Sequence, residues 1–142
     1  MGVRWVRLVV GAFQDGRGAR YGVVAVGPSG TVLRVWSGGR RDPDPAAAAM
    51  QAVLEGMWQT RRLGRRLRLC VHPPEVARWL GRESPVPDEY LSWFVQVRAL
   101  SHTFARVEFL PSSSAEVELA RRVAQQGICE EQPGKDVELL AR

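Results

Sequence analysis

The sequence predicts one α/β domain: a mixed five-stranded sheet, strands 1–3 antiparallel, in the order β-β-β-α-β-α-α-β-α. Three observations carry this. The chain opens with β-branched, aromatic runs separated only by glycine-rich turns. Stretches of helical periodicity then alternate with two short apolar runs. Finally, 142 residues suffice for one sizeable core and leave too little chain for a second.

Taken in order, "VRWVRLVVGAF" (Val3 to Phe13) has strand character, and "QDGRGAR" supplies a turn. "GPSG" separates the next two strands, Tyr21 to Val26 and Thr31 to Trp36, and "GGRRDPDP" is expected to break the sheet. "PAAAAMQAVLEGMWQTRRLG" then reads as a helix with Asp44 as N-cap, Pro45 at its first position and Gly64 as its stop. Met50, Val53, Leu54, Met57 and Trp58 recur at helical spacing, which is the pattern of a core-facing stripe. Arg68 to His72 is a fourth strand, and Pro73 and Pro74 start a short helix through Leu80. After the loop "GRESPVP", Asp88 is expected to cap the long helix "EYLSWFVQVRALSHTF". "RVEFLP" is the fifth strand and "SSSAEVELARRVAQQ" the last helix, in which Glu118 and Arg122 stand four apart as a surface ion pair. Residues 1–126 thus form the domain, and 127–142, mixing charge with Pro and Gly, form a C-terminal tail.

With 45% hydrophobic and 25% charged residues, neither a disordered chain nor a membrane span is suggested. The N-terminal apolar run is interrupted by Arg4 and Arg7, unlike a signal peptide, so a cytoplasmic location is expected. Cys70 and Cys129 are expected to be free thiols rather than a disulfide framework. The net charge is +5 and Lys135 is the only lysine, so the positive charge is nearly all arginine. Guanidinium groups grip phosphate in a bidentate fork, which makes a polyanionic partner plausible; the plainer reading is a basic excess that keeps the chain soluble.

The ordered set of the glycine turn before "YGVV", "LEGMWQTRRLG", "VHPPEVARWL", "DEYLSWFVQVRALSHTFARVEFLP" and "ELARRVA" resembles the ribonuclease H family, most closely the compact bacterial and archaeal ribonuclease HI type. The likeness covers Arg4 to about Ala124. It implies hydrolysis of the RNA strand of RNA/DNA hybrids by four carboxylates around two divalent cations, which polarise the scissile phosphate. Those family positions fall here on Gly11, Ala49, His72 and Val117, and none is a carboxylate. A shifted register could recruit Asp15, Glu55, Glu75 or Glu116. Each has a plainer reading: a turn residue, a solvated helix face, a helix first turn, and a surface helix position. Imidazole at His72 suits Mg²⁺ poorly, since that cation takes hard oxygen ligands. Cys70 and His72 share a strand face, but no third ligand for zinc lies near in sequence, and His102 reads as a surface residue at a helix end; no metal site is expected.

The family's nucleic-acid-facing loops correspond to Arg17 and Arg20, to Arg40 and Arg41, and to Ser112, Ser113 and Ser114. These imply phosphate contacts without metals; the plainer reading is a solvated basic loop and an N-cap serine. Three functions remain open. The first is a catalytically degenerate ribonuclease H-like domain that binds RNA/DNA hybrid or duplex without cleaving it and needs no cofactor. The second is an active Mg²⁺- or Mn²⁺-dependent ribonuclease H using displaced carboxylates. The third is a non-catalytic scaffold for protein contacts anchored by Trp5, Trp36, Trp79 or Trp93.

Overall fold

The computed structural model describes residues 5–63 and 66–127. Its elements are β1 (Val6–Asp15), β2 (Gly18–Val26), β3 (Val32–Arg40), α1 (Pro45–Thr60), β4 (Arg66–His72), α2 (Pro74–Leu80), a single 3-10 turn (Asp88–Tyr90), α3 (Leu91–Ser101), β5 (Arg106–Pro111) and α4 (Ser114–Gln126). The strands form one sheet in the order β3-β2-β1-β4-β5. β1–β2 and β2–β3 are antiparallel, and β1–β4 and β4–β5 are parallel. The two parallel joins require crossovers, which α1 and the α2–α3 pair provide.

Strand alternation divides the core into two layers. Val6, Leu8, Val10 and Ala12 of β1 point into one cluster with Met50, Val53 and Met57 of α1, Val76 and Leu80 of α2, and Val97 of α3. Val9, Val24 and Val35 point the other way and pack under Ala120 and Val123 of α4. α4 lies very close to the sheet because Gly22 has no Cβ: one built there would collide with the Ala120 carbonyl oxygen and come within 2.9 Å of the Ala124 amide nitrogen.

Several local expectations hold. Asp44 caps α1, its carboxylate accepting from the Ala47 amide at 3.2 Å, and Pro45 opens the helix. β5 spans the six residues expected of it. Others need correction. β1 continues through Asp15, and only Gly16 and Arg17 make the turn, with Gly16 at φ 61°. The sheet is not broken at "GGR", since β3 runs on to Arg40. Gly38 is required there because a Cβ would occupy the place of the Tyr21 hydroxyl, which crosses toward α1 to donate to Glu55. Trp58 does not join the core stripe: it is 56% exposed, with the Arg61 guanidinium over its ring at 3.8 Å.

Asp88 caps no α-helix; it begins the 3-10 turn, and α3 starts three residues later and stops at Ser101. Tyr90 explains the displaced start. Its ring stacks between Trp79 and Trp93, at 5.0 and 6.3 Å, and its hydroxyl donates to Asp44 at 2.8 Å, so the chain enters α3 at a fixed angle. Burial and then the Asp44 carboxylate raise the Tyr90 pKa, which keeps that hydroxyl a donor. Gly64, Cys129 and the expected tail from residue 128 lie outside the described residues.

Candidate nucleic-acid interface

Parallel pairing of β1 with β4 sets Gly11 directly opposite His72 at the C-terminal end of the central strands. That is the place where open α/β sheets present side chains to a crevice. Both residues lie on the α4 face. Above them stands α4, with Val117 one turn ahead of Ala120 and Arg121. Ala49 belongs to the opposite layer, fully buried in α1.

An aromatic and cationic stack fills this position. The Phe13 ring lies over the His72 imidazole, centroids 5.3 Å apart, and the Arg121 guanidinium lies over Phe13 at 4.4 Å. Gly11 closes the floor, since a Cβ there would lie 2.6 Å from the Ala120 Cβ and 3.0 Å from the Phe13 ring. Burial, and then the positive charge of Arg121, lower the His72 pKa, while Glu75 partly opposes them. Folding therefore favours neutral imidazole. Its contribution to stability is complete above the unfolded value of about pH 6.5 and is lost as pH falls through the lower folded value. His72→Gln is accordingly expected to shrink the drop in Tm between about pH 7.5 and about pH 5. An unchanged drop would mean that His72 is not held neutral.

The fallback carboxylates do not gather here. Asp15 ends β1, exposed, with Arg20 at 4.0 Å. Glu55 is not on a solvated face: it is half-buried and accepts from the Tyr21 hydroxyl and from Gln51. Glu75 is exposed in the first turn of α2. Glu116 closes a capping box, its side chain accepting from the Ser113 amide at 2.8 Å while the Ser113 hydroxyl accepts from the Glu116 amide at 3.2 Å. Its second oxygen faces Arg7 at 3.6 Å. Glu118 pairs with Arg121 at 3.3 Å, i to i+3, instead of with Arg122. Among the described residues, no group of three or more His, Cys, Asp or Glu side chains could hold a metal ion. Cys70 is buried, and burial, with Glu116 adding to it, pushes its thiol up to about 12, the opposite of what a metal thiolate needs.

The expected phosphate ligands differ in how far their own neighbours hold them, Arg20 by one exposed carboxylate and Arg40 by several groups. Arg17 sits exposed in the β1–β2 turn and Arg41 just beyond β3. Arg20 and Arg121 flank a cleft of about 260 Å³ lined also by Phe13, Gln14, Asp15 and Gln125, next to the stack. Arg40 is engaged internally. It holds Asp42 through both carboxylate oxygens at 2.9 and 3.1 Å, donates to Gln51 at 3.1 Å, and lies over Trp93 at 5.1 Å. The hydrogen bond to Asp42 raises the Arg40 pKa and lowers that of Asp42. Ser113 is the helix cap, Ser114 begins α4, and the Ser112 amide donates to the Val71 carbonyl at 3.2 Å. The Glu116 carboxylate already stands at this helix N-terminus, while the buried Ser112 hydroxyl has no partner among the described residues. Sequence reasoning missed Phe13 and Arg121. The one available signal was their chemistry, an aromatic two residues after Gly11 and an arginine four after Val117.

The strand order, the antiparallel opening and the helices on both faces are those of the ribonuclease H fold. Solved structures of that fold superpose on the whole domain. The N-terminal ribonuclease H domain of Rv2228c from Mycobacterium tuberculosis, solved as a fusion with maltose-binding protein, matches with a TM-score of 0.78 at 18% identity, covering 99% of this chain and 100% of that one. Ribonuclease H1 from the halophilic archaeon Halobacterium salinarum NRC-1 matches with a TM-score of 0.77 at 17% identity, covering 87% and 96%. LC11-RNase H1 in complex with RNA/DNA hybrid matches with a TM-score of 0.76 at 12% identity, covering 89% and 97%. No protein-family model and no curated protein matches the sequence.

Proposed function

We propose that this chain is a cytoplasmic ribonuclease H-fold module, residues 1–126 with a C-terminal tail, that holds RNA/DNA hybrid or duplex nucleic acid without cleaving it. One observation carries the reading: the crevice at the end of β1 and β4 presents the Phe13–His72–Arg121 stack. A two-cation mechanism needs several carboxylate oxygens to hold the ions and to offset the dehydration of Mg²⁺. Gly11, Ala49, His72 and Val117 supply none, and Arg121, over Phe13 and paired with Glu118, brings a cation of its own to the position. The residues present do not fit Mg²⁺ or Mn²⁺. They do fit phosphate, through Arg17, Arg20, Arg41 and Arg121 around one end of the sheet, and a neighbour of the same fold is bound to RNA/DNA hybrid.

Hybrid binding is expected to weaken as salt rises, because each phosphate neutralised releases counterions. Arg17→Ala with Arg20→Ala should lower the slope of log affinity against log salt by up to about two. Arg40→Ala should leave the slope unchanged and lower stability instead, since Arg40 ties β3 to α1 and α3. Equal slopes in wild type and the Arg17/Arg20 variant would remove these residues from the interface.

A second reading, a docking module for another protein, is favoured by a different observation. A groove of about 590 Å³ between α1 and α3 is lined by Leu54, Trp58, Ala99 and Leu100. Of the tryptophans expected as anchors, Trp36 is buried, Trp79 and Trp93 stack with Tyr90, and Trp5 is half-buried with the Arg68 guanidinium 4.7 Å from its ring; the exposed tryptophan is Trp58, which was expected in the core stripe.

A further inference from the structure

The end of the sheet opposite His72 carries a cleft that neither reading above uses. It lies where α3 runs into β5 and has a volume of about 260 Å³. Arg98, His102 and Arg106 stand around it, and Phe104, Val107 and Phe109 give it an apolar wall. No carboxylate lines it. Glu108, the acid nearest along β5, is held by Arg68 at 3.3 Å. Among the described residues Arg98 and Arg106 form no ion pair, and no described carboxylate shares the cleft with them. Two guanidinium groups lining one cleft attract an anion more than either would alone.

The arginines are not engaged in ending α3 either. The carbonyl of Arg98 accepts from the Ser101 hydroxyl at 2.6 Å, and that of Leu100 from the Thr103 hydroxyl at 2.7 Å. The carbonyls of Ala99 and Ser101 accept from the backbone amides of His102 and Phe104. The last turn satisfies its own acceptors, which leaves both guanidinium groups available.

We propose that this cleft binds a small phosphomonoester. The phosphate lies between Arg98 and Arg106 with the His102 imidazole at the rim, and the organic part lies against Phe104, Val107 and Phe109. A phosphomonoester offers three acceptor oxygens and up to two negative charges, enough to pair both guanidinium groups; a carboxylate has two oxygens and one charge. The cleft is at the small end for ligand pockets, which limits the organic part to about a single ring.

Phenyl phosphate titrated into the whole chain at low salt tests this, by calorimetry and by amide shifts of His102 to Val107. Saturable binding is expected, tighter than that of inorganic phosphate, which lacks the ring, and of benzoate, which lacks the second charge. Arg98→Gln and Arg106→Gln should each weaken it about tenfold, the worth of one charged hydrogen bond. Arg122→Gln, exposed on α4 across the sheet, should leave it unchanged, and circular dichroism checks that all variants fold. Absence of saturable binding, benzoate binding as tightly as phenyl phosphate, or equal losses in the two sets of variants would each overturn the proposal.

Discussion

Gly22→Val is expected to lower stability by at least about 3 kcal/mol, read as a fall in the urea unfolding midpoint, because overpacking at this position cannot relax. The added Cβ would strike the Ala120 carbonyl oxygen and crowd the Ala124 amide and the Val123 Cβ. These are mostly backbone atoms of a continuous helix, so the whole of α4 must lift from β1 and β2. That motion would also carry Arg121 away from Phe13 and open the stack over His72. Hybrid affinity should therefore fall together with stability. A Gly22→Val protein as stable as wild type would mean that α4 does not sit this close to the sheet.

Gly11→Asp, which places a carboxylate in the first strand, should cost about 1–3 kcal/mol and yield no nuclease. Its Cβ would meet the Ala120 Cβ at 2.6 Å and the edge of the Phe13 ring at 3.0 Å. The neighbour that must give way is a fully buried alanine on α4. Adding Ala120→Gly should recover part of the loss despite roughly 1 kcal/mol of lost helix propensity, so the two substitutions are non-additive. Additive losses in that double-mutant cycle would show that the clash is not the cause. No nuclease activity is expected in either variant, because the new carboxylate gains no partner carboxylate from His72, Ala49 or Val117.

The order of the elements was legible because it depends on local signals: β-branched runs, Asp44 and Pro45 opening α1, and the serine run before α4. Chain order and right-handed crossovers then put β4 beside β1, and with it His72 opposite Gly11. What the sequence hid depends on distant partners. Gly38 and Gly39 read as a sheet breaker, but the Tyr21 hydroxyl needs that space and β3 continues. Arg40 read as a rim arginine, yet Asp42, Gln51 and Trp93 surround it. Trp58 has the periodicity of the core stripe, and only the width of the groove between α1 and α3 leaves it outside. That Gly11, Ala49, His72 and Val117 carry no carboxylate could be read directly; that Phe13 and Arg121 meet beside His72 could not, because the two residues stand more than a hundred apart in sequence.

Retention of nucleic acid at a site without cation chemistry is the role proposed for this fold. It is tested most directly by one experiment: an end-labelled RNA/DNA hybrid incubated with the purified chain, with and without Mg²⁺ or Mn²⁺, scored for both retention and cleavage. Retention at low salt, lost as salt rises, with intact RNA whether or not the cation is present, is the expected result. Metal-dependent cutting of the RNA strand that disappears in Asp15→Asn would contradict it and establish an enzyme with displaced carboxylates.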